Sequence, residues 1–444
     1  MQKSYTILFL FVSLFTTGSF LYPVGKILEV STGLPLSTSI ILLGLICILY
    51  VAAGGLRAVV VTDVLQFLIL FSAIIIVIPM AFKEVGGISG FLAAAPEGFF
   101  QPVNEEYSWG FMIAFALYNA VFIGGNWAYV QRYTTVKNQA SARKVGYLFA
   151  FLYTFSPVLW MLPAMIYRVI NPELSGLGDE GAYLMMCKNI LPAGLLGLML
   201  GGMVFATASS MNATLNISAG VFTNDIYKRF RPQSSDKSLI KVARISTIVF
   251  GLLAIVVALM VPKMGGVVNV VISIGALTGV PLYLPVIWSL FSKRQTGKSV
   301  LTITLVSLAI NLIFKFVTPS LFGFGLDRTW EMVVGVGIPI ICLTIYEIVA
   351  ALRGSVSTKY LEYQEYAKTL EHVAPTEEEI AQSKKDNRFS GKVIGLGIVV
   401  TGLTILIVGL INKNGRSIVM TVGILQIIIG FIMYLINKRN ERAC

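Results

Sequence analysis

The sequence predicts an all-α polytopic membrane protein with about twelve spanning helices. Three observations carry that prediction. Hydrophobic residues make up 56% of the 444-residue chain and charged residues only 13%, where a soluble domain carries about 25%. Apolar runs of about 20 residues, long enough to cross a bilayer as helices, recur along the chain. Lys and Arg gather in alternate connections between those runs.

Taken in order, the predicted spans lie near 6–29, 35–54, 60–82, 109–131, 145–170, 193–219, 240–262, 269–292, 299–318, 330–352, 391–411 and 416–437. Lys3 precedes the first. Gly54 and Gly55 end the second, and Arg57 lies in the turn to the third. Four positive residues follow the fourth span in 131–144, six follow the sixth in 220–244, and three follow the eighth in 293–298. Seven lie in 353–392 and three in the tail. With a cytoplasmic N-terminus, 25 of the 34 Lys and Arg fall inside, which predicts that both termini are cytoplasmic and that the protein sits in the cell inner membrane. The net charge of +12 is therefore a topology signal and a match to anionic inner-leaflet lipid, not a nucleic-acid signal.

The chain divides into a core over 1–352, a polar cytoplasmic linker over 353–390 and two closing spans with a short tail over 391–444. Residues 171–192, bounded by Pro172 and Pro192, fit an outer loop with a short helix, as a lid or as a plain connector. Cys47, Cys187, Cys342 and Cys444 have no metal or pairing pattern, and the single histidine, His372, sits in a charged loop. "TGKS" at 296–299 lacks the earlier glycine of a phosphate loop. No nucleophile–base set, metal cluster or organic-cofactor loop appears, so an enzyme is not expected.

The sixth span is unusual. "ATASSMNATLNISAGVFTNDIYKRF", from Ala206, runs from an apolar stretch through seven polar positions to a basic end. Ala206, Ser209, Ser210 and Ala213 are spaced by three and four and share a helix face. Small residues and hydroxyls on one face serve close helix packing. They also suit a hard monovalent cation, which takes several oxygens without a strong field. Two hydroxyls and a carbonyl one turn earlier supply three, and the rest must come from a locally unwound helix. A second constellation, "GGLRAVVVTDVLQ" at 54–66, brings Asp63 into the first turns of a span. An acid there caps the helix or marks a functional site.

These residues resemble the sodium:solute symporter family, sodium-coupled carriers of sugars, proline, pantothenate, iodide and sialic acid. "GGLRAVVVTDVLQ" is similar to one family signature, and "SSMNATLNISAGVFTNDIYKRF" to a second. "NWAYVQRYTTVKNQASARK", built around Gln131 and Arg132, is similar to a third. The likeness covers about 6–320, in order. It implies an inverted-repeat transporter fold of the leucine-transporter type. On that plan the first two core helices have no counterpart, so the chain is expected to be a fragment or to have its missing part encoded separately.

The resemblance also implies roles. The Ala206 carbonyl and the Ser209 and Ser210 hydroxyls match sodium ligands, with Na+ as the coupling ion. Asp63 and Asn212 correspond to a possible second sodium or gating position, which Ala213 leaves one oxygen short. Asn119 and Phe122 fall at a polar solute contact and an aromatic gate, while plain packing also explains Phe122. Thr16, Tyr153 and Ser273 line the implied pocket. The expected function is sodium-coupled symport of a small solute: a sugar, sugar acid or polyol. The alternatives are a non-transporting membrane module, such as a sensor or partner subunit, and an inactive remnant of a symporter. The expected partners are that solute and the lipid bilayer, with no nucleic acid.

Overall fold

The structure is a computed structural model. It describes residues 2–134, 136, 139–369, 377–411 and 415–442, without the side chains of 2, 3, 50, 53–65, 139, 176, 177, 367–369, 377–390 and 439–442. His372 and Cys444 lie outside the described residues, as does the Asp63 side chain.

In chain order the helices are α1 (Gln2–Thr32), α2 (Leu36–Glu84), α3 (Gly87–Ala94), α4 (Trp109–Gly125), α5 (Trp127–Thr134), α6 (Gln139–Ile170) and α7 (Ala182–Ile190). There follow α8 (Ala193–Val221), α9 (Lys228–Phe230), α10 (Asp236–Met260), α11 (Val267–Ile274), α12 (Val280–Ser289) and α13 (Gly297–Leu312). The chain ends with α14 (Thr318–Phe322), α15 (Arg328–Leu352), α16 (Thr358–Thr369), α17 (Glu377–Ile411) and α18 (Arg416–Arg442). Three π-helical turns, Phe222–Tyr227, Gly275–Gly279 and Ile313–Val317, continue α8, α11 and α13.

Ten helices among the described residues are long and apolar enough to cross a membrane. The pair α4–α5, bent by 51°, makes eleven if taken as one span, and α2 opens with a shorter apolar stretch, Leu36–Leu49. The sequence reading counts both as spans, which is where its twelve differs from ten. The bend falls at Asn126, whose side-chain oxygen accepts from the Ala128 N–H and opens α5 after Gly124 and Gly125.

One stretch differs from the sequence reading. Two spans were expected at 35–54 and 60–82, divided at Gly54 and Gly55, whereas α2 runs through as a single helix. Two glycines cost about 1 kcal/mol each relative to alanine. That is not enough to end a helix flanked by Ala, Leu and Val. α17 likewise begins at Glu377, inside the stretch read as linker.

The chain forms two compact units. The first comprises Met1–Ser19, Phe100–Phe149 and Ala213–His372. In it α4, α12, α13 and α15 pack around the π-turn Gly275–Gly279. Phe111, Ala114, Tyr118, Ala276, Val280, Met332 and Val336 form its core. Glycine is needed in that π-turn: a Cβ on Gly279 would stand 2.4 Å from the Tyr118 ring. The Ser13 and Ser218 hydroxyls, 2.9 Å apart and buried, tie α1 to the end of α8.

The second unit comprises Phe20–Phe99, Ala150–Asn212 and Val373–Cys444. Its core joins Ile76 and Val77 of α2, Ile166 of α6, Met186 and Cys187 of α7, Met199 of α8, Ile405 of α17 and Val419 of α18. The short helix expected in 171–192 is α7. Ala182, Leu184, Met186, Cys187 and Ile190 anchor it in that core. α17 and α18 cross where Gly395 meets Gly430 and Gly402 meets Gly423, close enough that a Cβ on Gly430 would stand 2.7 Å from the Gly395 carbonyl oxygen.

Candidate functional site

The candidate sodium face lies on α8. That helix is apolar and rich in Ala, Gly and Met, and it runs unbroken through Ala206, Ser209 and Ser210. The Ala206 carbonyl therefore belongs to the helical ladder. At about 100° per residue these three positions share one side of the helix. Leu195, Met199 and Gly202 lie on the same side and are buried. From Ala208 onward burial moves about half a turn away, to Ala208, Met211, Leu215 and Ala219. Ala206 and Ser209 are half-buried and Ser210 is exposed. The candidate oxygens thus continue a buried stripe beyond the point where burial shifts.

Asn212, one turn on from Ser209, is 5% exposed, and its Oδ1 has no hydrogen-bond partner. A buried amide oxygen without a donor is costly. Hydroxyl and amide oxygens form a hard, neutral donor set, of the type that alkali cations take. The residues present therefore fit a sodium ion as cargo. Asp63 stands within α2, with its side chain outside the description. Two polar residues off this face, Thr207 and Ser218, have defined partners. The Thr207 hydroxyl donates to the Met203 carbonyl at 2.8 Å, and Ser218 pairs with Ser13. The exit sequence Asp225-Ile226-Tyr227 forms the π-turn after α8, where the Thr6 hydroxyl donates weakly to Asp225 at 3.4 Å.

Of the expected solute residues, four lie in the first unit. Phe122 packs edge-on against Tyr283 (centroids 5.7 Å apart) and Tyr129 (6.0 Å). With Ile272 it joins the apolar cluster around the π-turn. Asn119, also on α4, donates from Nδ2 to the Phe115 carbonyl at 2.8 Å. Ser273, on α11, accepts from Lys315 Nζ at 3.1 Å. Thr16, on α1, donates to the Val12 carbonyl at 3.1 Å. Tyr153 stands on α6 in the second unit, half exposed.

Sequence reasoning missed two features. Lys315 was counted only as an outer-side charge, although it lies inside a predicted span and pairs with Glu331. An ionisable residue inside a span was the available signal. The three π-turns had none, since hydropathy does not distinguish them from α-helix.

The model of the sodium:solute symporter family matches residues 2–307. A sodium/glucose cotransporter of Vibrio parahaemolyticus is 32% identical over 351 residues, covering 71% of this chain and 63% of that protein. The sodium/myo-inositol cotransporter 2 of Bos taurus is 27% identical over 348 residues, covering 69% and 52%. This chain thus spans 63% and 52% of the length of these two curated relatives. A solved structure of a Na+-coupled sialic acid symporter, in a substrate-bound outward-open state, matches with a TM-score of 0.61 at 24% identity. That match covers 78% of this chain and 73% of the other. At that identity the likeness is one of fold.

Proposed function

The chain belongs to the sodium:solute symporter family, and from that premise we propose that it performs sodium-coupled symport of a small polyhydroxylated solute, a sugar, sugar acid or polyol. The observation that carries this reading is the oxygen-bearing face of α8. Ser209 and Ser210 share that face with Ala206, and Asn212, one turn on from Ser209, carries a buried Oδ1 that lacks a donor, all within the family-matched stretch. The names of the relatives, glucose and myo-inositol cotransporters, support a polyhydroxylated cargo.

In this reading the Ala206 carbonyl and the Ser209 and Ser210 hydroxyls hold the sodium, and Asn212 with Asp63 forms a second cation or gating position. Asn119, Thr16, Ser273 and Tyr153 offer hydrogen bonds to hydroxyls. Phe122 offers a flat apolar face to a sugar ring and closes the path beneath it. Coupling follows from linkage: if sodium and solute favour the same conformer, each raises the affinity for the other by the same factor. The protein sits in the inner membrane with both termini cytoplasmic. The distribution of Lys and Arg supports that orientation.

Uptake by proteoliposomes tests the reading. Labelled hexoses, inositols and a sugar acid are offered with an inward sodium gradient, then with choline in its place. At least one should accumulate only with sodium. Sodium-independent uptake, or none across the panel, contradicts the proposal.

A further inference from the structure

A second polar constellation lies in the first unit, on elements other than α8. After Leu312 the α13 ladder widens into the π-turn Ile313–Val317, which carries Lys315. Lys315 Nζ donates to Ser273 Oγ at 3.1 Å and lies 2.7 Å from Glu331 Oε2, one turn into α15. Asn311, four residues before Lys315, is 2% exposed, and Glu331 is 9% exposed. The Asn311 amide donates from Nδ2 toward the carbonyls of Leu277 (3.3 Å), Gly335 (3.4 Å) and Ala276 (3.5 Å). Those three acceptors fix which way the amide points, because turning it over would set Oδ1 against carbonyl oxygens. Oδ1 is left without a donor, and so is Glu331 Oε1. Asn311, Lys315 and Glu331 all line one cavity of about 150 Å³, whose other walls include Leu277, Phe314 and Leu326.

Two residues of the cavity lining thus carry buried acceptors lacking donors, and one of these is a carboxylate neutralised through its other oxygen alone. Unpaired acceptors in a low-dielectric interior favour a donor or a cation. We propose that this cavity is a binding site for a small monovalent cation, with Glu331 Oε1 and Asn311 Oδ1 as its side-chain oxygens and Lys315 as a tethered competitor. The Lys315 side chain is one-third exposed. It turns outward as the ion enters, so Glu331 has one cationic partner in either state. Freed from Lys315, the carboxylate presents both oxygens to the ion. Carboxylate and amide oxygens are hard donors of the kind an alkali ion takes, and Leu277 of the π-turn Gly275–Gly279 lines the same cavity.

The mechanism gives its variants opposite signs. Lys315→Met removes the competitor and should tighten cation binding about tenfold. Glu331→Gln removes the charge and should weaken it at least tenfold. The assay is equilibrium binding of radioactive sodium to the purified full chain in detergent, with choline holding ionic strength constant. It is run in a Ser209→Ala/Ser210→Ala background, so that a failure of the α8 assignment leaves the result readable. The background protein should keep a saturable sodium component that responds to the two variants in opposite directions. Absence of that component, or equal binding in all three proteins, overturns the proposal and leaves a water-filled cavity. Should Glu331→Gln not fold, Lys315→Met decides through melting temperature: sodium should raise it more than in the parent, and an equal or smaller rise overturns the site.

Discussion

Removing one hydroxyl from the α8 face is the most direct probe of the proposed coupling site. Ser210 is exposed and Ser209 half-buried, so replacing Ser210 with alanine should move fold stability by no more than about 0.5 kcal/mol. An oxygen contact to a charged partner is worth about 1.5–3 kcal/mol, which is roughly a 10- to 150-fold change in affinity. Ser210→Ala should therefore raise the sodium concentration for half-maximal uptake by at least tenfold while protein yield and melting temperature hold. Thr207→Ala is the matched control. It stands on the same helix about a third of a turn away from the candidate face. Its sodium dependence should equal that of the parent. The assay is solute uptake into proteoliposomes across a sodium titration. An unchanged midpoint in Ser210→Ala, or an equal shift in Thr207→Ala, refutes the assignment of the face.

Three further outcomes are expected. A Cβ at Gly430 would meet the backbone of Gly395 and Val399 at 2.7 and 2.8 Å, so Gly430→Val should destabilise the α17–α18 pair by about 1–3 kcal/mol. An unchanged melting temperature in detergent would show that the pair relaxes. Cys187 is fully buried, and burial pushes its thiol well above the usual range. With the other cysteines removed, a maleimide should label the native protein at least tenfold more slowly than the denatured one, and faster as pH rises. Equal rates would mean that α7 opens readily. Phe122→Ala removes the ring packed on Tyr283 and Tyr129 and should cost about 2–3 kcal/mol, below the roughly 3–5 of a full core truncation because the ring is half-buried. As a gate it should also admit a solute-independent sodium leak. A stability loss without leak assigns Phe122 to packing alone.

Hydropathy made the membrane architecture legible because lipid requires long apolar helices whose backbones are satisfied internally. The apolar helices fall on the predicted spans for that reason. The count was harder. Gly54 and Gly55 read as a stop, yet helix propensity is a weak term beside the apolar residues on either side, and α2 continues. Asn126, by contrast, breaks its span through a specific side-chain hydrogen bond that a span-length window does not register. On α8 the three-and-four spacing correctly put Ala206, Ser209 and Ser210 on one side. It did not reveal that burial switches sides near Ala208, which depends on the helices that pack there. Asn311, Lys315 and Glu331 are brought together by tertiary contacts between α13 and α15. Only the presence of Lys315 and Glu331 within spans hinted at them. The glycines at 395, 402, 409, 423 and 430 recur at seven-residue spacing within each helix. That signal for close crossing was present in the sequence and was not used.

The central claim is that solute and sodium cross together. The measurement that tests it is solute-driven sodium entry: proteoliposomes loaded with choline, equal trace radioactive sodium on both sides, and an inward gradient of the solute that the panel identifies. Symport predicts that sodium accumulates inside above its outer concentration, that the accumulation collapses when the solute gradient is removed, and that Ser209→Ala/Ser210→Ala abolishes it. Solute entry with sodium remaining at its starting distribution would contradict the account.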